Sequence, residues 1–376
     1  MHNIVIAGHG IAGLTAGDTL RRQGFEGTLT VIGEDPHPTY SRPALSKAAL
    51  DPTADLMDTI LPTTTHDTHH TTTIHGCVTG VDADAGVVTL ADGIQVPYDG
   101  LIIATGTRAR RFTDDPNEYT LRTLDDAAAL RSRLSTKPSV TIIGGGPLGM
   151  EVASGARALG CRVRLVQFGL PMAVQMGPVI AHILTAAATD HGVEIIDALV
   201  KSVSPTSSGL TVELDDGSVL DSEVVVSAIG DSANTDWLEG SGLLTDGRLV
   251  SDSQGRIRDN IVAAGDVVWF NGQRCPVWTS AIEEARIAAT ALLHGNDAPE
   301  ISYQPYFWTD QFGLNVKISG PVPHEGDPVV VEGSLAERSA LLHWPELGSA
   351  AAINYRMPVP RLHRLAKSAT TPVSTA

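Results

Sequence analysis

The residues best placed to do chemistry are two glycine sets, Gly8-His9-Gly10-Ile11-Ala12-Gly13 and Gly144-Gly145-Gly146-Pro147-Leu148-Gly149. Both have the spacing G-x-G-x-x-G. Each follows a strand-like run (Asn3-Ile4-Val5-Ile6-Ala7, Val140-Thr141-Ile142-Ile143) and opens a helical pattern. In such a turn the first glycine makes the tight bend and the second lets the backbone approach a pyrophosphate. The third lets helix and strand pack closely, with phosphates at the helix N-terminus. Glu34, 21 residues after Gly13, stands where a carboxylate can accept both ribose hydroxyls of an adenosine, although a loop glutamate would look the same. One such loop could be a glycine-rich turn that binds nothing. Two in matching context point to two dinucleotides with electrons passing between them.

These loops need parallel sheets to hold them. Residues 3–33 read as strand, helix from Leu14 to Gln23, and strand Leu29-Thr30-Val31-Ile32, one βαβ unit. Residues 62–75, rich in Thr and His, read as a surface loop leading into strands. His66, His69, His70 and His75 in or beside it have no thiol or carboxylate at ligand spacing, so solvated histidines are expected there rather than a metal site. Gly86–Leu90 and Gln95–Tyr98 flank Asp92-Gly93 as a hairpin, followed by the buried strand Leu101-Ile102-Ile103 ending in Ala104-Thr105-Gly106. A helix around 121–134 leads to a second βαβ unit from Val140 through Val166. Leu210–Leu214, Asp216-Gly217 and Val224–Gly230 then repeat the earlier hairpin and small-residue strand end, an internal duplication. Ile261–Asp266 reads as a buried strand ending in Gly-Asp, and 279–293 as a helix. Short strands follow from about 304, and the last ten residues or so read as a frayed tail.

A length of 376 residues suits two or three domains, and 42% hydrophobic residues suffice for real cores. The expected fold class is α/β: two Rossmann-like dinucleotide-binding domains and a small α+β C-terminal domain. Residues 1–107 with 232–303 would form the first, 108–231 the second and 304–376 the third with its tail. No apolar stretch is long enough to span a membrane, and the N-terminus runs straight into a strand without a secretory signal pattern. Cys77, Cys161 and Cys275 are far apart and form no C-x-x-C. This suits a reducing cytoplasm and argues against an iron–sulfur or zinc site. A net charge of −17 argues against nucleic acid as a partner. Two basic clusters stand out, Arg108 with Arg110 and Arg111, and Arg356 with Arg361, Arg364 and Lys367. Each is either solvated surface or a docking patch for an acidic protein.

Over about residues 3–365 the chain resembles the FAD-dependent NAD(P)H:ferredoxin reductases of the putidaredoxin-reductase, oxygenase-coupled type, whose glutathione-reductase-like fold is shared with rubredoxin reductases and apoptosis-inducing factor. The marks are Tyr40-Ser41-Arg42-Pro43-Ala44-Leu45-Ser46-Lys47, Ala104-Thr105-Gly106-Thr107-Arg108, Gly144 to Glu151, Ala264-Gly265-Asp266-Val267 and Pro305-Tyr306-Phe307-Trp308-Thr309-Asp310-Gln311. The resemblance implies FAD at the first βαβ unit, with Gly8, Gly10 and Gly13 at the pyrophosphate, Glu34 at the ribose and Arg42 along the pyrophosphate. Ala104, Thr105, Gly106, Arg108 and Trp278 would lie near FAD, and Asp266 would hold a ribityl hydroxyl. Lys47 would sit at the flavin N5–O4 edge, paired with Glu151, where a fixed ammonium stabilises charge growing on the reduced ring. NAD(P)H would lie along Gly144, Gly146, Pro147, Leu148, Gly149, Glu151, Gln167 and Gly230. Trp308 would shelter the flavin near the electron exit, or serve as core packing.

Disulfide reductases of this fold carry a redox cysteine pair close after the first βαβ unit. This chain has no cysteine before Cys77, so electrons are expected to leave the flavin directly. The segment 48–76 is shorter than is typical of the family, and three residues depart from its pattern. His9 replaces a small residue and would touch or crowd the pyrophosphate. Pro147 replaces a bulkier side chain. Gln167 stands where a glutamate often selects NADH, yet no arginine follows to receive a 2′-phosphate, which leans the reading to NADH. The expected acceptor is a ferredoxin-type 2Fe–2S protein serving a P450 or another oxygenase, and the protein itself a monomer or homodimer. A flavin oxidase or quinone reductase, and an interaction protein like apoptosis-inducing factor, are the alternatives.

Overall fold

The computed structural model describes residues 1–62, 70–302, 305–323 and 325–368. His66, His69 and the tail from 369 lie outside them. The chain divides into two compact units. One comprises Met1–Ser41, Thr59–Arg108 and Asp231–Tyr303, and the other Arg42–Asp58, Ala109–Gly230 and Gln304–Ala376.

The first unit is built on a six-stranded sheet in the order Arg256–Arg258, Ile261–Ala263, Gly100–Ile103, Asn3–Ala7, Thr28–Gly33, Thr71–His75. Its four central strands run parallel, with Ile6 beside both Val31 and Ile102. Side-chain alternation divides the apolar run. Ile4, Ile6 and Ile102 face helices Ile11–Arg22 and Trp278–His294, whose Ala12, Ala16, Ala281, Ala285 and Ala288 allow close approach. Val5, Ala7, Leu101 and Ile103 face the three-stranded sheet that contains the hairpin Val87–Leu90 and Gln95–Pro97.

The second unit repeats this plan. A parallel sheet runs Glu194–Ile196, Arg162–Val166, Ser139–Ile143, Val224–Ser227, Glu118–Tyr119. Helix Pro147–Ala158 follows the central strand, and the antiparallel strands Val200–Pro205, Leu210–Leu214 and Val219–Ser222 cover the face bearing Ile143, Val166 and Val225. The duplication read from the sequence is therefore present at the level of layers. From Tyr306 onward a five-stranded antiparallel sheet is packed by helix Val359–Ala366 through Leu362, Leu365 and Ala366.

Two local expectations change. Part of the stretch read as a loop, Thr71–His75, is the edge strand of the first sheet, in register with Leu29–Gly33. Its three successive threonines are good strand formers, and the apolar alternation is missing because most of the strand faces out. The sequence reading also had no helix over Ala173–Asp190. Gly177, at φ 73°, breaks its helical geometry beside Pro178, and an added Cβ there would lie 2.1 Å from the Pro323 carbonyl oxygen. Among the described residues no helix is long and apolar enough to cross a membrane.

The third glycine of each loop is a packing constraint, whereas the second is open. A Cβ on Gly149 would lie 1.9 Å from the Gly144 carbonyl oxygen, and one on Gly146 would meet nothing within 4 Å. Gly149→Ala is expected to cost about 1–3 kcal/mol of stability, and Gly146→Ala at least about 1 kcal/mol less. Equal losses in chemical denaturation would overturn this account of the loop.

Candidate active site

The two loops are built alike. Gly8 (φ 113°) and Gly144 (φ 104°) take a conformation that side chains rarely adopt, and a Cβ on either would lie 2.1 or 2.3 Å from the carbonyl oxygen of Ala104 or Ala228. Gly8 N–H donates to Ile32 and Gly144 N–H to Val166, at 2.7 and 2.9 Å. Gly13 and Gly149 rest on the carbonyls of Gly8 and Gly144, each 1.9 Å from a built Cβ. Gly10 and Gly146 are the N-caps of helices Ile11–Arg22 and Pro147–Ala158. Neither helix has a side-chain cap, and neither glycine would touch anything with an added Cβ. Two uncapped helix N-termini thus face open cradles, the arrangement a pyrophosphate fits. Pro147 sits at the first helical turn, where a missing N–H breaks no helical bond but leaves one donor fewer for an anion.

The loops differ by an exchange of bulk. In the first, the His9 ring lies over Gly33, where an added Cβ would be 1.7 Å from Nδ1, and its Nε2 lies 3.1 Å from the His37 carbonyl oxygen. His9 is therefore packed against the strand end. In the second, the loop residue is Gly145 and the strand end carries Gln167, whose Cγ would be 2.9 Å from a Cβ on Gly145. Gln167 Oε1 accepts from Gly145 N–H at 2.6 Å, and its amide nitrogen donates to the Phe168 carbonyl. Asp197, missed in the sequence, accepts from Gly169 N–H at 2.8 Å beside it. Gly230 (φ 89°) faces open space.

Around the first loop Glu34 is exposed directly after Gly33, Ala104 is buried, and Gly106 has φ 64°. Thr105 donates to the Asn234 carbonyl at 2.8 Å and its own carbonyl accepts from the Asn234 amide at 2.9 Å. Arg108 pairs with Asp236 at 3.0 Å. Gly265 N–H donates to the buried Glu284 at 2.6 Å, next to the half-buried Asp266. The Asp266 carbonyl accepts from Arg274 at 2.9 Å, and Trp278 begins its helix half-buried. Burial pushes the thiols of Cys77, Cys161 and Cys275 up, and all three cysteines are free. None is thereby primed as a thiolate.

In the second unit, Lys47 Nζ lies 2.9 Å from Glu151 Oε1, with Glu151 only 4% exposed. Lys47 also donates to the Pro43 carbonyl at 3.2 Å. Glu151 is on the inner face of the second loop's helix, so the glycine turn that forms the cradle also aims this carboxylate. Two further donors reach it: the Ser46 hydroxyl to Oε2, and the Thr309 hydroxyl to Oε1 at 2.6 Å. Both lie within the sequence motifs Tyr40–Lys47 and Pro305–Gln311, where their residue types alone indicate no role. Arg42 donates to the Arg122 carbonyl. Trp308, one residue from Thr309 on strand Tyr306–Gln311, points to the opposite face, where it stacks on Tyr306 with ring centroids 5.8 Å apart. The Lys47–Glu151 pair is thus brought together and Trp308 is not part of it. Among the described residues no group of three His, Cys, Asp or Glu is placed to hold a metal ion.

The pyridine nucleotide-disulphide oxidoreductase family profile matches residues 2–288. The chain is 32% identical over 378 residues to the 3-phenylpropionate/cinnamic acid dioxygenase ferredoxin–NAD(+) reductase component of Photorhabdus laumondii subsp. laumondii, covering 96% of this chain and 95% of that one. It superposes with a TM-score of 0.86 and 28% identity on the ferredoxin reductase for the CYP199A2 system from Rhodopseudomonas palustris, over 94% of this chain and 92% of that one. The covalent putidaredoxin reductase–putidaredoxin complex gives 0.85 and 27%, over 97% and 92%. With its paired glycine cradles and this similarity over nearly its whole length, the chain belongs to the pyridine nucleotide–disulphide oxidoreductase family.

Proposed function

We propose that this chain is an FAD-dependent NAD(P)H:ferredoxin reductase that passes electrons to a 2Fe–2S protein serving an oxygenase. The observation that carries this reading is the Lys47–Glu151 pair, a lysine ammonium held by a buried carboxylate on the helix that opens the second dinucleotide cradle. FAD would supply the conversion between two-electron hydride chemistry and single-electron transfer. The first cradle, with Gly8, Gly10, Gly13 and Glu34, would hold FAD. Arg42, Ala104, Thr105, Gly106, Arg108, Asp266 and Trp278 complete that proposed set. The second cradle, with Gly144, Gly146, Pro147, Leu148, Gly149, Gln167 and Gly230, would hold the nicotinamide dinucleotide. Lys47 would stabilise negative charge on a bound flavin, and Glu151 holds its ammonium in place. Residues 1–107 with 232–303 would act as the FAD-binding part, 108–231 as the NAD(P)-binding part and 304–376 as the C-terminal part. Exposed Arg356, Arg361, Arg364 and Lys367 around the last helix suit an acidic protein partner. Trp308 would lie on the exit side.

Stopped-flow reduction by NADH followed by mixing with a 2Fe–2S ferredoxin tests the whole reading. Fast flavin reduction and fast transfer to ferredoxin are expected. Fast reoxidation only by oxygen or a quinone would instead make it an oxidase or quinone reductase. Slow reduction with a persistent charge-transfer complex would make it an interaction protein.

Lys47→Ala is expected to slow flavin reduction by at least about tenfold. Glu151 keeps its two hydroxyl donors, so the thermal midpoint can be checked in the same protein. An unchanged rate in a folded variant would remove Lys47 from the site.

We further propose a preference for NADH, resting on the absence of an arginine after Gln167 and on the neighbouring Asp197. In Gln167→Glu one oxygen can keep the Gly145 hydrogen bond while the other places a charge against a 2′-phosphate. The ratio of kcat/KM for NADH over NADPH should rise at least about threefold. A constant ratio would mean that position 167 does not face the ribose.

A further inference from the structure

Thr309 is wholly buried, on an edge strand where valine would have nearly the same shape and no polar atom to satisfy. Its hydroxyl is fully used. The amide nitrogen of Gln311, itself 3% exposed, donates to Thr309 Oγ1 at 2.9 Å. Because that nitrogen can only donate, the Thr309 oxygen accepts there and its single proton is directed to Glu151 Oε1, 2.6 Å away. The same carboxylate oxygen accepts from Lys47 at 2.9 Å. The strand is registered on the helix a second time, three residues on from Glu151, where Phe312 N–H donates to Ser154 Oγ at 2.7 Å. Gln311 thus donates to Thr309 and Thr309 to Glu151, and this directed series meets the donating Lys47 ammonium on the same carboxylate oxygen.

We propose that Thr309 is a positioning residue for electron transfer: its hydroxyl, oriented by Gln311, holds the Glu151 carboxylate aimed, and thereby sets Lys47. The inference rests on the reductase reading above. The strand that presents Trp308 on one face thus supports the lysine's counter-ion from the other. Without the hydroxyl, Glu151 loses one of the donors that fix its carboxylate. The carboxylate is then free to turn, and the ammonium loses its fixed partner.

The experiment compares wild type, Thr309→Val, Thr309→Ser and Lys47→Ala, all loaded with FAD. Single-turnover reduction is measured over a series of NADH concentrations, which separates rate from affinity. The flavin midpoint potential is measured by equilibrium titration, and folding by thermal unfolding. Thr309→Val should slow reduction about tenfold, the equivalent of about 1.4 kcal/mol. A lowered potential and little change in NADH affinity should accompany that loss. Thr309→Ser should restore the rate to within about twofold and bring the potential back to that of wild type. If Thr309→Val does not fold, Thr309→Ala carries the same expectations. A folded Val or Ala variant with wild-type rate and potential, beside a slowed Lys47→Ala, would overturn the proposal and leave the reductase reading standing. If Lys47→Ala is also unaffected, both fail together.

Discussion

A carboxylate taken out of water must be surrounded by donors, and Glu151 meets that demand with groups drawn from distant parts of the chain. Ser46 and Lys47 come from more than 100 residues before it, and Thr309 from 158 residues after it. Leaving such a charge unpaired would cost several kcal/mol. The stretch 42–58 is held in the second unit by more than this group. Arg131 donates to the carbonyls of Asp51 and Ala54, and Leu50 packs against Gly155, where an added Cβ would lie 3.2 Å from Cδ1. The helix bearing Glu151 starts at the second glycine cradle, so one element joins that cradle to the lysine's position.

The duplicated cradles show what a glycine fingerprint requires and what it leaves free. In both loops the first and third glycines are forced by carbonyl oxygens within 2.3 Å of any added Cβ, while the second faces open space. The next shell varies. Bulk sits on the loop in the first (His9 over Gly33) and on the strand end in the second (Gln167 over Gly145). His9, which reads in the sequence as a candidate to crowd the pyrophosphate, is accommodated because Gly33 has no side chain. Gln167, which reads as a missing acid, is held through its amide by the backbone of Gly145 and Phe168. These are steric and hydrogen-bonding solutions to filling the same position from opposite sides.

Much of the architecture was legible because its signals are local. Alternating apolar runs, glycine spacing and Asp-Gly turns act over a few residues, and they locate the parallel strands, both hairpins and the duplication. Helix Ala173–Asp190 was missed because Gly177 and Pro178 interrupt its pattern, and strand Thr71–His75 because an edge strand need not alternate. The Lys47–Glu151 pairing was legible only through resemblance, since no local rule links residues 104 positions apart. Ser46 and Thr309 stood inside recognisable motifs without a role, because a hydroxyl's purpose depends on which carboxylate it meets.

By itself the sequence determined that this chain folds into paired glycine cradles, with no cysteine before Cys77, because backbone sterics and side-chain periodicity are short-range. The tertiary structure alone decided how the loop substitutions at His9 and Gln167 are accommodated, that Trp308 turns away from the ion pair, and which donors surround Glu151. Those outcomes depend on long-range packing and on the requirement that a buried charge find partners wherever the fold brings them.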